Sequence, residues 1–468
     1  MNATGNDPGR VATGNFAPIT FEADAPHLPV IGELPPGLRG TLYRNGPNPQ
    51  FQPADPARHH WFMGDGMIHA FTLQGGRAAY RNRWVRTGRF RAEAAAGQPI
   101  GRGFGPPSED PPPADDGVAN TNVVHHAGRL LALEEAHLPI ELDAGSLATL
   151  GAPDFAGGLQ GPFTAHPKTD PATGELVFFG YAADGPLGAG MTYGTLDRAG
   201  RVTRFERFEA PYCSMVHDFA VTGGHVLFPV LPLTGDLGRA MRGAPPFAWE
   251  PERGAHIGLL RRADGVASLR WFRAPACYVF HVLNAWDDER GRVVADVMQY
   301  DTPALFPRPD GTMPEGDTAA RLVRWTLDPA AGTDAFTAEP LDDLRGEFPR
   351  LDERFAGRRN RYGAFAARSR DDAGMDSIAW LDFDTGRRAL HTLPAGDAVS
   401  EPVFVPRAAD AAEGDGWLLL VVYRAAECRS DLLVLDTQGI DRAPVATVQL
   451  AHRVPFGFHG NFVSEGRI

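Results

Sequence analysis

The chain has 468 residues, a formal net charge of −13, 43 % hydrophobic and 22 % charged residues. These values exclude disordered, collagen-like and coiled-coil chains and allow one large domain or two to three smaller ones. The surplus of acid argues against a phosphate-backbone partner, because nucleic-acid binders concentrate positive charge to release counterions.

The opening Met1-Asn-Ala-Thr-Gly-Asn-Asp-Pro-Gly-Arg10 has no apolar h-region, and no apolar run of about 18 residues follows. The protein is therefore expected to be soluble, unexported and cytoplasmic. With 54 Gly and 41 Pro the chain is turn-rich. Short β-branched or aromatic runs recur between turns: Gly174–Tyr181, Arg290–Tyr300, Ala379–Asp384, Trp417–Tyr423 and Leu432–Asp436. Such runs, joined by Asp- and Gly-containing connections, signal hairpins. Helical periodicity is scarce, with short helices or turns expected at Leu147–Leu150, Leu237–Met241 and Leu341–Leu344. Many antiparallel strands without interleaved helices predict a sandwich, barrel or propeller, and at this length a propeller fits best. Two stretches rich in Pro, residues 94–117 and 229–249, read as loops outside the sheets; the second is apolar enough to suggest a lip that meets a membrane or a greasy substrate.

Lys168 is the sole lysine, in a His-Pro-Lys-Thr-Asp-Pro turn, which argues against Schiff-base and P-loop chemistry. Cys213, Cys277 and Cys428 form no CxxC pair, so neither a disulfide framework nor a zinc-thiolate cluster is expected. Four of the 15 histidines share similar settings: His166 in Phe-Thr-Ala-His-Pro, His217 in Ser-Met-Val-His-Asp-Phe, His281 in Tyr-Val-Phe-His-Val-Leu-Asn, and His459 in Phe-Gly-Phe-His-Gly-Asn-Phe. Separations of 51, 64 and 178 residues match no zinc finger or HExxH helix. Single ligands this far apart require a fold that gathers distant strands on one axis, as a propeller does. An all-imidazole set suits iron, copper, nickel or zinc.

Several segments, taken together, resemble the carotenoid cleavage oxygenases: Gly40-Thr-Leu-Tyr-Arg-Asn-Gly-Pro-Asn-Pro49, Trp61-Phe-Met-Gly-Asp-Gly-Met-Ile-His69, Asn82-Arg-Trp-Val-Arg-Thr87, Ala119-Asn-Thr-Asn122, Ala165-His-Pro-Lys-Thr-Asp170, Glu347-Phe-Pro-Arg350, Ser400-Glu-Pro-Val-Phe404 and His459-Gly-Asn-Phe462. The resemblance runs in family order from about residue 17 to 468. It implies a flexible start over residues 1–16 and one all-β domain over 17–468, a seven-bladed β-propeller with loops and short helices capping an axial metal site. It further implies one Fe(2+) per chain held by His166, His217, His281 and His459, with Glu135, Glu347 and Glu401 accepting the outer imidazole N–H groups. The implied reaction is cleavage of a conjugated C=C bond by O2 into carbonyl products, with two positions of a six-coordinate ion left open. The implied partners are O2 and an apolar conjugated small molecule, a carotenoid or apocarotenoid, with no nucleic acid; membrane contact would run through residues 229–249.

A second reading is a lignostilbene-type dioxygenase acting on stilbenes such as resveratrol. Stilbene-cleaving members hold the substrate phenol with a Lys before the outer Glu and a Tyr in an upstream loop. The nearest positions here are Glu134, which repels a phenolate, and Phe104, which lacks a hydroxyl. A retinoid-type isomerase and a non-catalytic carotenoid carrier are further alternatives. Thr121 and Asn122 are candidates for the open face of the metal, and Phe280, Phe458 and Phe462 for the walls of the substrate pocket. His59, His60, His69, His125 and His126 read as structural or surface residues, and Asp65 and Asp218 as acids that orient backbone groups.

Overall fold

Each Asp- or Gly-punctuated apolar run pairs antiparallel with its sequence neighbour. A computed structural model describes residues 13–53, 59–100, 116–153, 155–371 and 374–466. Seven sheets form the blades of a propeller, as expected. The second consists of Asn122–His126, Arg129–Leu133, Ile140–Leu142 and Thr149–Gly151. The third is Lys168–Thr169, Leu176–Gly180, Gly190–Leu196 and Val202–Glu209, and the fourth Ala220–Val221, His225–Val230, Ala255–Arg261 and Arg270–Ala274. The fifth runs Tyr278–Asp287, Val293–Tyr300, Arg321–Leu327 and Thr337–Pro340, and the sixth Arg345–Arg350, Tyr362–Arg368, Ser377–Asp382 and Arg387–Thr392.

The first and seventh blades close the ring with both ends of the chain. In the first, Gly40–Pro47, Gly66–Gln74, Arg77–Trp84 and Ala23–Ala25 are joined on the inside by Gly460–Ser464. In the seventh, Ala398–Val399 and Val403–Pro406 both pair with Gly416–Arg424, followed by Arg429–Asp436 and Ala446–Gln449, and Val30–Gly32 adds the outer edge. Of the expected start over residues 1–16, residues 1–12 lie outside the described range, and Gly14–Phe16 forms a 3-10 turn whose Asn15 is buried.

Successive side chains of a strand face opposite ways, and the blades use both faces. Leu418, Leu420 and Leu433 pack against Ala364, Ile378 and Trp380 of the sixth blade. Their neighbours Trp417, Leu419 and Val434 pack against Leu42, Phe71 and Leu73 of the first. Phe178 and Phe179 divide in the same way between the second and fourth blades. The strands are therefore near-continuous apolar runs.

Two local expectations change. An α-helix, Gly88–Ala96, takes the first residues of the stretch expected as a loop from 94; Thr87 caps it through Phe90 N–H, an Arg89–Glu93 pair at i,i+4 supports it, and left-handed Gly97 ends it. Leu341–Leu344 is not helical, and Leu147–Leu150 gives a turn and the start of a strand, whereas Leu237–Met241 is a helix capped by Asp236. In residues 229–249, Val230, Leu231, Leu233, Phe247 and Trp249 are buried, leaving Leu237 and Met241 exposed. Among the described residues no helix is long and apolar enough to cross a membrane.

At the closing seam Gly46 meets Gly457. Asn45 N–H donates to His459 O at 2.8 Å, and Phe458 N–H donates to Asn45 O at 3.0 Å. A Cβ on Gly46 would stand 2.4 Å from Gly457 Cα, a backbone atom that cannot step aside alone. Gly46→Ala should therefore destabilise the protein by about 1–3 kcal/mol, read as a lower melting temperature; an unchanged melting curve would show the seam to be slack.

Candidate metal centre

The inner strands meet the axis where their ladders are interrupted. His166, His217 and His459 lie just before the inner strands that start at Lys168, Ala220 and Gly460. His281 lies inside Tyr278–Asp287, where the register shifts between Val279 and Val282 and again before Asn284. Such bulges turn a side chain out of the regular alternation. The four rings come together: Nε2 of His166 and His217 are 3.1 Å apart, those of His217 and His281 3.2 Å, and those of His281 and His459 3.1 Å. All four are buried, with ligand atoms within 4.8 Å of one another.

The three expected carboxylates take the opposite ring nitrogens. His217 Nδ1 donates to Glu135, His281 Nδ1 to Glu347 Oε2 at 2.5 Å and His459 Nδ1 to Glu401 Oε1 at 2.8 Å. Each bond fixes the tautomer and leaves a lone pair on Nε2. Lone pairs facing one another at this distance cannot bond together. A divalent ion with metal–nitrogen bonds of about 2.1 Å would hold nitrogens at right angles about 3 Å apart, which is what the rings present. The residues thus fit an imidazole-ligated transition ion.

Each acid is held at its far side. Tyr181 OH donates to Glu135 Oε2 at 2.6 Å, and Tyr300 OH to Glu347 Oε1 at 3.0 Å. Gly460 N–H donates to Glu401 Oε2 at 2.9 Å, with Arg350 at 3.2 Å from the same oxygen. Glu347 sits at a bulge where Phe348 adopts φ 59°, a left-handed conformation unfavourable for a bulky residue, and the Phe348 ring packs against His281 and His459. Burial and the neighbouring rings push His166 well below its ordinary value. Burial lowers His459 to about 3, against Glu401. Glu347 overcomes burial and raises His281. Burial would raise Glu401, but Arg350 foremost and His459 hold it at about 2.

The centre opens on a cavity of about 1630 Å³ whose wall includes Thr121, Glu134 and Phe280. Phe104 lies outside the described residues. Phe280 stands edge-on to His217, and Phe62, Phe306 and Phe458 complete an aromatic wall beside it. Phe462 instead packs in the core between the first and seventh blades. Asn122 donates to Ala165 O, and Thr121 O accepts His459 N–H at 3.1 Å. His59 and His60 line the cavity, His60 stacking on Phe306, while His69 is buried against Tyr80 OH and His126 reaches Asp197 O. Asp218 accepts Phe219 and Val282 N–H and pairs with Lys168, and Asp65 accepts Gln50 N–H. Tyr181, Tyr300 and Arg350 escape a reading by residue type, because a ring or guanidinium in a strand looks like packing until its acid partner is placed. Glu134 is not a bare carboxylate: His137 ion-pairs with it and lies 2.7 Å from Asp116.

The chain matches the family described as Retinal pigment epithelial membrane protein over residues 16–464. It is 40 % identical to an isoeugenol monooxygenase of Pseudomonas nitroreducens, over 98 % of each chain. It is 36 % identical to a carotenoid cleavage oxygenase of Mycobacterium tuberculosis, over 96 % of each. The crystal structure of Pseudomonas brassicacearum lignostilbene dioxygenase superposes with a TM-score of 0.92 at 33 % identity, covering 97 % of this chain and 98 % of the other.

Two outcomes follow from the geometry. His217→Ala should lose stoichiometric transition metal, and Glu347→Gln should weaken metal binding about 10–100-fold, measured by metal analysis and chelator competition; wild-type affinity in Glu347→Gln would contradict the role given to that bond. Burial pushes His137 down, but Asp116 and Glu134 outweigh it and raise it to about 10. Its stabilising contribution is therefore complete below pH 6.5 and lost as pH rises through about 10. Melting temperatures of His137→Gln across that interval should lack the slope seen in the wild type.

Proposed function

The chain belongs to the RPE65 and carotenoid cleavage oxygenase family, and on that premise we propose that it is a non-haem Fe(II) dioxygenase that splits a conjugated C=C bond of an apolar substrate. Homologues named as oxygenases make it an oxygen-incorporating oxidoreductase. The observation that carries the reading is the convergence of four buried imidazole lone pairs on an aromatic-walled cavity. His166, His217, His281 and His459 would hold the ion, and Glu135, Glu347 and Glu401 would orient three of them. Ferrous iron bound there supplies the binding and activation of O2.

The remaining work falls to the protein. Phe62, Phe280, Phe306 and Phe458 present ring faces and edges to a planar substrate and exclude water from it. Thr121 lines the same space, its hydroxyl donated to Asn120 Oδ1 at 3.0 Å. No side chain is asked to give or take a proton. The oxygens of Glu135, Glu347 and Glu401 are engaged, and burial keeps the Tyr181 and Tyr300 phenols protonated by raising them well above their ordinary value. Adding both atoms of O2 across the double bond, with rupture of the C–C link, gives two carbonyl products and balances without a reductant. Cavity shape sets which bond lies over the metal.

On this reading the substrate is an apocarotenoid or carotenoid. A second, an aryl alkene, is favoured by the 40 % identity to a protein named for isoeugenol. Iron-loaded enzyme given ¹⁸O₂ and a panel of apocarotenals, carotenes, hydroxystilbenes and isoeugenol should place one label in each carbonyl product of a single class, read by mass spectrometry. Turnover that persists without O2 would replace the reading with an isomerase-type reaction, and no turnover by iron-loaded enzyme would remove it.

A further inference from the structure

Among the described residues three arginines are less than one-tenth exposed: Arg44, Arg89 and Arg239. Arg89 pairs with Glu93, and Arg239 meets Thr234 O, Pro245 O, Pro246 O and Glu250. Arg44, at 5 % exposure, has no such set. Among the described residues its guanidinium forms no hydrogen bond or ion pair, and its Nε is wholly enclosed. It lines the cavity that reaches the metal centre. Arg368, half-buried on the Tyr362–Arg368 strand, lines the same cavity and is likewise unpaired.

Burying a guanidinium without a partner costs several kcal/mol, so proteins rarely leave one unmatched. Burial lowers Arg44 to about 10, with Glu401 acting against it, so the group is still charged at neutral pH. No acid nearby is free to take it. Glu401 is committed to His459, Gly460 N–H and Arg350, and Glu347 to His281, Phe348 N–H and Tyr300. Asp317, on the same wall, is held by Arg321 and Arg345. The cavity therefore carries two unmatched cations, Arg44 on the Gly40–Pro47 strand of the first blade and Arg368 on the Tyr362–Arg368 strand of the sixth, in a chain of net charge −13.

We propose that Arg44 forms the core of a carboxylate-binding subsite that takes the ionised end group of a conjugated substrate. A planar guanidinium matches a carboxylate through two parallel N–H···O bonds, which gives orientation as well as attraction. The subsite would fix how far an extended substrate enters, and so which double bond reaches the metal. The inference rests on the cavity being the substrate site of the proposed function.

The test is equilibrium binding, read by quenching of tryptophan fluorescence in the metal-loaded protein, for two matched pairs: all-trans-retinoic acid with all-trans-retinol, and 4-carboxystilbene with stilbene. In at least one pair the acid should bind the wild type more than tenfold tighter than its neutral partner. Arg44→Gln should lower that ratio by about tenfold or more, with Arg44→Lys recovering part of it and Arg368→Gln, on another blade of the same cavity, lowering it less. Metal content and melting temperature accompany each variant, and if Arg44→Gln fails to fold, Arg44→Lys decides the matter, since it keeps the charge and loses the planar fork. Acetate that competes with the acids alone supports the subsite and shows that a free carboxylate also fills it; no competition, with the preference intact, assigns it to the substrate's own end group. Equal affinities within both pairs, or a preference that the Arg44 variants leave intact, overturns the proposal. Absence of turnover under O2 would count against the dioxygenase reading, while the binding ratio still decides this one.

Discussion

Imidazoles whose outer N–H is given to a carboxylate turn only lone pairs inward, and at 3.1–3.2 Å these repel unless a cation lies among them. Every feature near the axis serves to hold that arrangement. The carboxylates fix the tautomers. Tyr181, Tyr300, Arg350 and Gly460 N–H then fix the carboxylates, so each ligand is restrained through two layers of partners. His166 is the exception: no carboxylate takes its outer nitrogen among the described residues, and its backbone N–H donates to Thr164 Oγ1. Its ring is placed by the short chain between Phe163 and Pro167, with Phe163 wholly buried.

A regular inner strand could not do this, since its backbone groups belong to the ladder and its side chains alternate between two packed blade interfaces. The propeller breaks its inner strands where the axis needs them. The seventh blade divides its innermost strand into Ala398–Val399 and Val403–Pro406, and Glu401 stands in the gap before Pro402. Glu347 occupies a bulge and Glu135 a bend after Leu133. The apolar interfaces supply the stability that lets the axis be irregular. Asn45 shows the coupling: its side chain bonds to Ala119 O and Asn122 O of the neighbouring blade while its backbone bonds to the His459 segment.

How much of this was legible in the chain follows from the same division. Continuous apolar runs such as Trp417–Tyr423 announce strands because packing on both faces demands apolar residues at consecutive positions. The four histidines stood out because three are flanked by strand-forming apolar or aromatic residues and the first by a turn, and the family resemblance, not their spacing, joined them to three acids. Helix Gly88–Ala96 was missed because the Pro- and Gly-rich residues after it dominate the local composition, although Thr87 and Gly97 are ordinary helix ends. Phe462, for which pocket wall and core packing read equally well in the sequence, packs in the core because one step along the strand from Asn461 turns a side chain from the axis side into the interface between blades. Partners such as Tyr300, 47 residues from Glu347, depend on three-dimensional contact alone.

The charges around the axis explain why Arg44 differs from the other buried arginines. Glu135, Glu347 and Glu401 bring three negative charges, and a divalent ion with Arg350 brings three positive ones, so the centre is balanced once metal is bound. Lys168 and Asp218 cancel one another beside it. His137, between Asp116 and Glu134, leaves an excess of one negative charge in its own cluster on the cavity wall. Arg44 stands outside the balanced metal centre and forms no ion pair with that cluster, and low dielectric makes its burial without a partner expensive. A ligand that enters as an anion would pair with Arg44 where an uncharged one would not. On the proposed reading the cavity selects by two different forces: aromatic rings that accept a flat conjugated chain, and a fixed positive charge that distinguishes one end of it from the other.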